Sequence, residues 1–295
     1  MAGEIINRLN VGQIVNVKLT DSAVINGQNL VEAYNYAKTL TPNGAALSAT
    51  NRVSVIIQPG NYTLAAQLTV DTQFVDLIGL GAIKLRRGCV PAVVIDGNTL
   101  NVTANDVDVK GISVGTQAFS VGNNLSLQVI EDCVGGDTSF NPNTLAGTFI
   151  NCKSGSHSFA GASGGAQTAS GTFINCEGGA NSFGGGFTGN VSSGIFVNCT
   201  VGNNQGFSTS GTASGTFTDC EGGSSAFGGT PFPASTASGT FTNCIGGSNA
   251  FGGGGSGTAT GKFYQCRLTS GTFKTVTGAG LMRNCIDGNN AIVDQ

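Results

Sequence analysis

The apolar positions of this chain follow two different periods. Over residues 29–40, NLVEAYNYAKTL, the side chains of Leu30, Val31, Tyr34, Ala37 and Leu40 fall on one face at helical spacing. That pattern predicts a short amphipathic helix with Asn26 or Asn29 as its cap. After a polar loop, residues 53–64 read VSVIIQPGNYTL: a strand, a Pro-Gly turn and the start of another strand. Short apolar runs at residues 74–78, 82–85, 93–95, 100–102, 107–109 and 112–114 each predict a brief strand.

Further on the pattern becomes a repeat. Residues 171–183 read GTFINCEGGANSF, residues 215–227 GTFTDCEGGSSAF and residues 239–251 GTFTNCIGGSNAF. The unit is anchored by Cys133, Cys152, Cys176, Cys199, Cys220, Cys244, Cys266 and Cys285, with gaps of 19, 24, 23, 21, 24, 22 and 19 residues. Three residues before these cysteines stand Ile130, Phe149, Phe173, Phe196, Phe217, Phe241, Phe263 and Met282. Immediately before them stand Asp132, Asn151, Asn175, Asn198, Asp219, Asn243, Gln265 and Asn284. A second apolar position follows at Phe140, Phe159, Phe183, Phe207, Phe227, Phe251, Phe273 and Ile292.

A period near 22 residues, crowded with Gly and β-branched residues and lacking a leucine ladder, excludes helical and leucine-rich repeats. It predicts a β-solenoid in which each unit is one coil and like residues stack at the ~4.8 Å strand spacing. Phe and Cys differ by three, so on one straight strand they would point to opposite faces. Both reach the interior if the chain bends at the intervening Asn, which tolerates a left-handed backbone and can bond to the coils above and below. The expected core is therefore a Phe stack and a Cys stack, with a turn ladder of Asn151, Asn175, Asn198, Asp219, Asn243 and Asn284 beside them. Each thiol then acts as a small buried hydrophobe. Coil-to-coil disulfides are the alternative, but stacked Cβ atoms near the strand spacing exceed the ~3.8 Å that a disulfide prefers.

Composition narrows the function. Of 295 residues only 10 % are charged, the net charge is −3, and Arg86-Arg87 is the densest basic run. Nucleic acid is not an expected partner, since backbone neutralisation needs many cations on one face. No apolar run approaches membrane-spanning length, and the first 20 residues contain no signal-peptide core. Synthesis in a cytoplasm is expected, with release by lysis or within an assembled virion or other extracellular particle. The cysteine spacings match neither a zinc site nor a CxxC redox pair.

The sequence NGQNLVEAYNYAKTL, then VSVIIQPGNYTL, then VDLIGLG at residues 75–81, then the Phe-x-Asn-Cys coils, resembles the pectate-lyase-like right-handed parallel β-helix superfamily. The resemblance implies an N-terminal cap helix, and it implies the fold of many bacteriophage tail spikes and fibres, commonly trimers. It covers residues 26–295 as architecture and specifies fold far better than activity. The expected organisation is an attachment segment at 1–25, a cap helix with irregular first coils at 26–126, and regular coils at 127–295. Eight coils from Cys133 to Cys285 give a rod of roughly 35–40 Å.

Candidate chemistry is sparse. Glu177 and Glu221 occupy the position after Cys two coils apart, ~9.5 Å by strand spacing, at the long end for an inverting glycosidase pair. Thr200 stands between them, and solvated charges explain both glutamates better than catalysis does. Asp96, Asp106 and Asp108 form the densest acidic set, read as turn residues, with a calcium site as the alternative. His157, the single histidine, has no matched nucleophile nearby and is read as a surface residue. Gly79–Gly81 is no dinucleotide fingerprint, and GGGGSG at residues 252–257 is a turn rather than a phosphate loop. Trp is absent and the Phe residues are committed to the core, which disfavours a glycan-processing cleft lined by aromatic platforms. No cofactor or metal is expected.

Flanking the first Phe are Thr148/Ile150, Thr172/Ile174, Ile195/Val197, Thr216/Thr218, Thr240/Thr242 and Lys262/Tyr264, a face suited to packing against another subunit. The expectation is a non-enzymatic structural or attachment protein of a virus-like particle, a spike, fibre or decoration subunit. Its expected partners are copies of itself, a trimer by the resemblance, other particle proteins and a cell-surface glycan. A polysaccharide-degrading tail-spike enzyme is the first alternative, and a secreted adhesin or ice-binding surface protein the second.

Overall fold

The computed structural model describes residues 11–115, 119–161, 166–185, 189–202, 206–207, 210–229, 235–253 and 257–295. The chain winds into a right-handed parallel β-helix of about ten turns with coils near 22 residues. Its spine is one twelve-stranded parallel sheet, running from Val11–Asn16 through Arg52–Ile57, Val75–Gly79 and Asp108–Lys110 to Leu281–Arg283. Of the segment expected to serve attachment, residues 1–10 lie outside the described residues, and Val11–Asn16 is the first strand of this spine.

Register explains the repeat. Ile130 pairs with Phe149, and Phe149, Phe173, Phe196, Phe217, Phe241, Phe263 and Met282 follow one another as Cα partners on successive strands. All of these are buried. Rings in this column stack with centroids 4.8–5.2 Å apart and planes within 12° of parallel. The second column, from Phe140 to Phe273, stacks alongside and meets the first nearly edge-on, at 81–88° and 5.5–6.0 Å for the inner pairs. Edge-to-face contact sets the positive ring edge of one column against the negative face of the other. Two perpendicular aromatic columns thus pack side by side in a narrow interior.

The chain turns out of each spine strand at the residue before Cys. Asp132, Asn151, Asn175, Asn198, Asp219, Asn243, Gln265 and Asn284 all adopt φ between 51° and 55°. The amides also link the coils: Asn151 Nδ2 donates to Asp132 Oδ1 at 3.0 Å, Asn175 to Asn151 at 3.1 Å and Asn198 to Asn175 at 2.9 Å. The bend brings the next residue inward, so the eight cysteines from Cys133 to Cys285 are buried and free; Cys89, outside the repeat, is also buried and free. Cys176 Sγ lies 3.4 Å from the carbonyls of Phe149 and Ile174, and the thiols above and below repeat this geometry. Burial pushes the thiols of Cys133, Cys176, Cys220 and Cys244 well above the ordinary range, which keeps them protonated and inert.

A second left-handed position was not legible in the sequence. Phe140, Phe159, Phe183, Phe207, Phe227 and Phe251 have φ of 50–55°, a region costly for a bulky side chain. In the coils of Phe183, Phe227 and Phe251 the next residue is a glycine with φ of 70–74°, so two left-handed residues in succession reverse the chain. The strain at Phe is offset by complete burial between stacked rings.

A helix packs near one end of the column and the chain's own tail against the other. Helix α1, Ala23–Ala37, lies across the first coils and buries Leu30, Ala33, Tyr34 and Ala37. It starts earlier than residues 29–40, and its cap is Ser22, whose Oγ accepts from Ile25 N. Asn26 instead bonds Thr20 and the Asn61 carbonyl. Gly27 sits within α1 because a Cβ there would come 2.0 Å from the Thr63 carbonyl oxygen. Helix and sheet approach too closely for any other residue, and that closeness hid the start of α1 from propensity. At the other end the chain doubles back, and Ile292–Val293 pairs antiparallel with Cys285–Ile286. Met282 and Gln295 exchange backbone hydrogen bonds of 2.9 and 3.1 Å. The last strand of the spine therefore ends against the chain's own tail.

Candidate functional site

Three surface features interrupt or exploit the regular coil. The first is a strap. Between the spine strand Val75–Gly79 and the strand Val93–Asp96, residues 80–92 leave the coil and form an antiparallel hairpin, Ile83–Lys84 with Cys89–Val90. The apolar run at residues 82–85, expected as part of an early coil, belongs to this hairpin instead. The hairpin lies along the Asn ladder. Lys84 Nζ reaches Glu131 at 2.9 Å and Asp132 at 3.3 Å. Further up, Gly88 N donates to the Asn175 carbonyl at 2.7 Å, Arg87 Nε to Asn198 Oδ1 at 3.0 Å, and Arg87 Nη1 to Glu221 at 2.9 Å. Asn198 Nδ2 in turn donates to the Arg86 carbonyl at 3.2 Å. The strap thus ties the coil of Cys133 to the coil of Cys220, about 19 Å along the axis at the strand spacing.

At the tip of the strap is a hollow of about 300 Å³, lined by Arg86, Arg87, Asn198, Asp219, Glu221 and Asn243, with Ile245 in its wall. Beyond it the ladder runs on uncovered, and Asp219, Asn243 and Gln265 are exposed.

The second feature is the ionic network of the first coils. Arg52 clasps Asp76 through Nε and Nη2 and holds Asp106 through Nη1 at 2.8 Å. Lys110 bridges Asp108 at 3.1 Å and Glu131 at 3.5 Å. Burial works against ionisation of Glu131, but Lys84 and Lys110 outweigh it and hold the carboxyl below the usual range. Asp96 accepts from Gly97 N at 2.7 Å and closes its own turn. The acidic set of Asp96, Asp106 and Asp108 is therefore divided among different partners. Among the described residues no group of three His, Cys, Asp or Glu is arranged to hold a metal. The Arg52–Asp76 pair gave no local sequence signal, because 24 residues separate partners that the coil brings onto adjacent strands.

The two glutamates weighed as a catalytic pair are both engaged. Glu177 and Glu221 flank Thr200 in the ladder of bridges beside the spine, which keeps them two coils apart. Glu177 binds Lys153 at 3.0 Å, and Glu221 binds Arg87 at 2.9 Å. His157 Nε2 lies 3.0 Å from Asn181 Nδ2, the equivalent residue one coil on.

The third feature is a stripe of small uncharged side chains. Thr148, Thr172, Ile195, Thr216 and Thr240 form one outward column of the spine in register, and Ile150, Ile174, Val197, Thr218 and Thr242 form the next. The six-stranded sheet from Thr144–Leu145 to Thr258–Ala259 adds a further outward column, Thr144, Thr168, Val191, Thr212, Thr236 and Thr258. Exposed Ser170, Ser193, Ser214 and Ser238 form a ridge between the two sheets. At that ridge both Ser170 N and Gly171 N donate to the Leu145 carbonyl, which breaks the ladder and marks the corner. The corner requires glycine on its inner side: a Cβ at Gly194 would sit 2.1 Å from the Gly171 carbonyl oxygen. The sequence pattern revealed two of these columns. The other two were missed because the unit was read from the Gly two residues before its Phe, although Thr-Ala-Ser stands just before that Gly with the same alternation.

The fold defines the protein as a parallel β-helix. No protein family, curated protein or solved structure matches the chain.

Proposed function

We propose that this protein is a non-enzymatic rod, a spike, fibre or decoration subunit of a virus-like particle, which associates with copies of itself along the Thr/Ser/aliphatic stripe. The observation that carries the reading is the in-register stripe, which repeats over successive coils without a charge from Thr148 to Thr242. The C-terminal end is closed by the chain's own tail, which disfavours stacking there and leaves the sides of the rod for association. The strap and the ionic network occupy the adjoining surface of the lower coils, whereas the stripe presents methyl and hydroxyl groups that another copy can match without desolvating ions. The resemblance to the pectate-lyase-like superfamily and its phage spikes supports a trimer.

Sedimentation of wild type and of Thr172→Arg and Thr216→Arg tests the reading. These side chains point outward, so the arginines leave the core intact and place a cation in the stripe. Wild type is expected to sediment as an oligomer and both variants as monomers. A monomeric wild type at micromolar concentration, or an oligomer indifferent to both arginines, defeats the proposal.

A further inference from the structure

A rod of near-identical coils offers near-identical surface at every level, so selective recognition of a small ligand needs a place where the repeat is broken. The strap tip is such a place. It sets two arginines, which the repeat does not supply, against the first uncovered steps of the Asn ladder. Arg87 is committed to Asn198 and Glu221 and forms a fixed wall. Arg86, Asp219 and Asn243 face the hollow with no side-chain partner among the described residues. Asp219 and Asn243 are held by their left-handed backbone, which fixes the direction in which each side chain leaves the ladder.

We infer that this hollow binds one neutral sugar ring bearing vicinal hydroxyls, as part of a surface glycan, and the inference rests on the proposed reading of the protein as a spike or fibre subunit. Its volume of about 300 Å³ suits a single ring. The three uncommitted groups comprise a donor-only guanidinium, an acceptor-only carboxylate and an amide that does both. A hydroxyl is donor and acceptor at once, so adjacent hydroxyls can give a proton to Asp219, take one from Arg86 and exchange bonds with Asn243. The lining sets Arg86 and Arg87 against Asp219 and Glu221, so its charge is balanced and neither an anion nor a cation gains a net Coulombic advantage over a neutral polyol. Ile245 supplies aliphatic surface for the C–H face of the ring, and no aromatic platform is present in the lining. Binding is therefore weak, with Kd of about 1 mM.

Saturation-transfer NMR titration of the full chain with methyl glycosides of glucose, galactose and mannose, and with glucuronate and glucosamine as charged probes, tests the assignment. At least one neutral glycoside is expected to saturate. Arg86→Ala and Asn243→Gly should each weaken it about tenfold, the glycine preserving the left-handed backbone. Glu32→Gln, on the exposed side of helix α1, should leave it unchanged. Preference for glucuronate or glucosamine, saturation that survives both pocket variants, or no saturation by any glycoside overturns the inference. Circular dichroism melting of each variant separates lost binding from lost fold. Sedimentation of the same samples reports on lateral association independently, so a failed titration with an intact oligomer removes the pocket and leaves the rod.

Discussion

Replacing Asn175 separates the two contributions of the ladder. Its side chain donates to Asn151 Oδ1 at 3.1 Å and accepts from Asn198 Nδ2 at 2.9 Å, and its backbone sits at φ 55°. Glycine at this position loses both amide bonds but keeps the backbone at ease. At about 0.5–1.5 kcal/mol for each bond, Asn175→Gly should cost about 1–3 kcal/mol. Alanine loses the same bonds and must also hold a left-handed conformation, which adds about 1 kcal/mol. The Asn175 carbonyl, which accepts from Gly88 N, is retained in both variants, so the strap remains attached there. Urea unfolding of wild type, Asn175→Gly and Asn175→Ala, followed by far-ultraviolet circular dichroism, gives the three midpoints. The expected order is wild type above Gly above Ala. If alanine equals or exceeds glycine, the bend does not need the left-handed backbone. If both variants fall within about 0.5 kcal/mol of wild type, the ladder contributes too little to matter.

Two further outcomes follow from the strap and its ion pairs. Glu131 has a carboxyl held below the usual range, so its stabilisation is complete above the unfolded value near ~4.3 and is lost as pH falls through the folded value. Melting temperature should therefore drop on acidification, and Glu131→Gln should shrink the drop between neutral and strongly acidic buffer; an identical drop in the variant refutes the assignment. Glu221→Ala removes one of the two side-chain anchors of Arg87, a half-exposed pair worth up to ~1 kcal/mol. Trypsin should then cut at Arg86 or Arg87 up to about fivefold faster, and an unchanged cleavage rate means that Glu221 does not hold the strap.

The sequence carried the column more fully than the surface. Phe149, Asn151 and Cys152 reveal a coil because their spacing is odd and recurs, and only a bend can bring both Phe and Cys inward. The left-handed Phe183 carried no such signal, since a bulky side chain rarely takes that conformation and only the stacked rings around it compensate. The apolar run at residues 82–85 announced a strand correctly, but pattern alone does not say whether a strand pairs within its own coil or leaves it. The partners of Arg87 lie 111 and 134 residues away, beyond any local pattern. The stripe was half visible: Thr216 and Thr218 stood out beside their Phe, while Thr212 and Ser214 went unassigned.

The strap also sets a rule for how this molecule can change length. Because its contacts fall at fixed heights, from Glu131 to Glu221, removing or duplicating one winding inside that span would offer Arg87 the wrong neighbour. Above Glu221 no such gauge applies, and the Phe217, Phe241 and Phe263 windings keep the same inward register. Inserting one whole winding should therefore cost less stability above Glu221 than beneath the hairpin, where it would pull Arg87 out of register with Asn198 and Glu221.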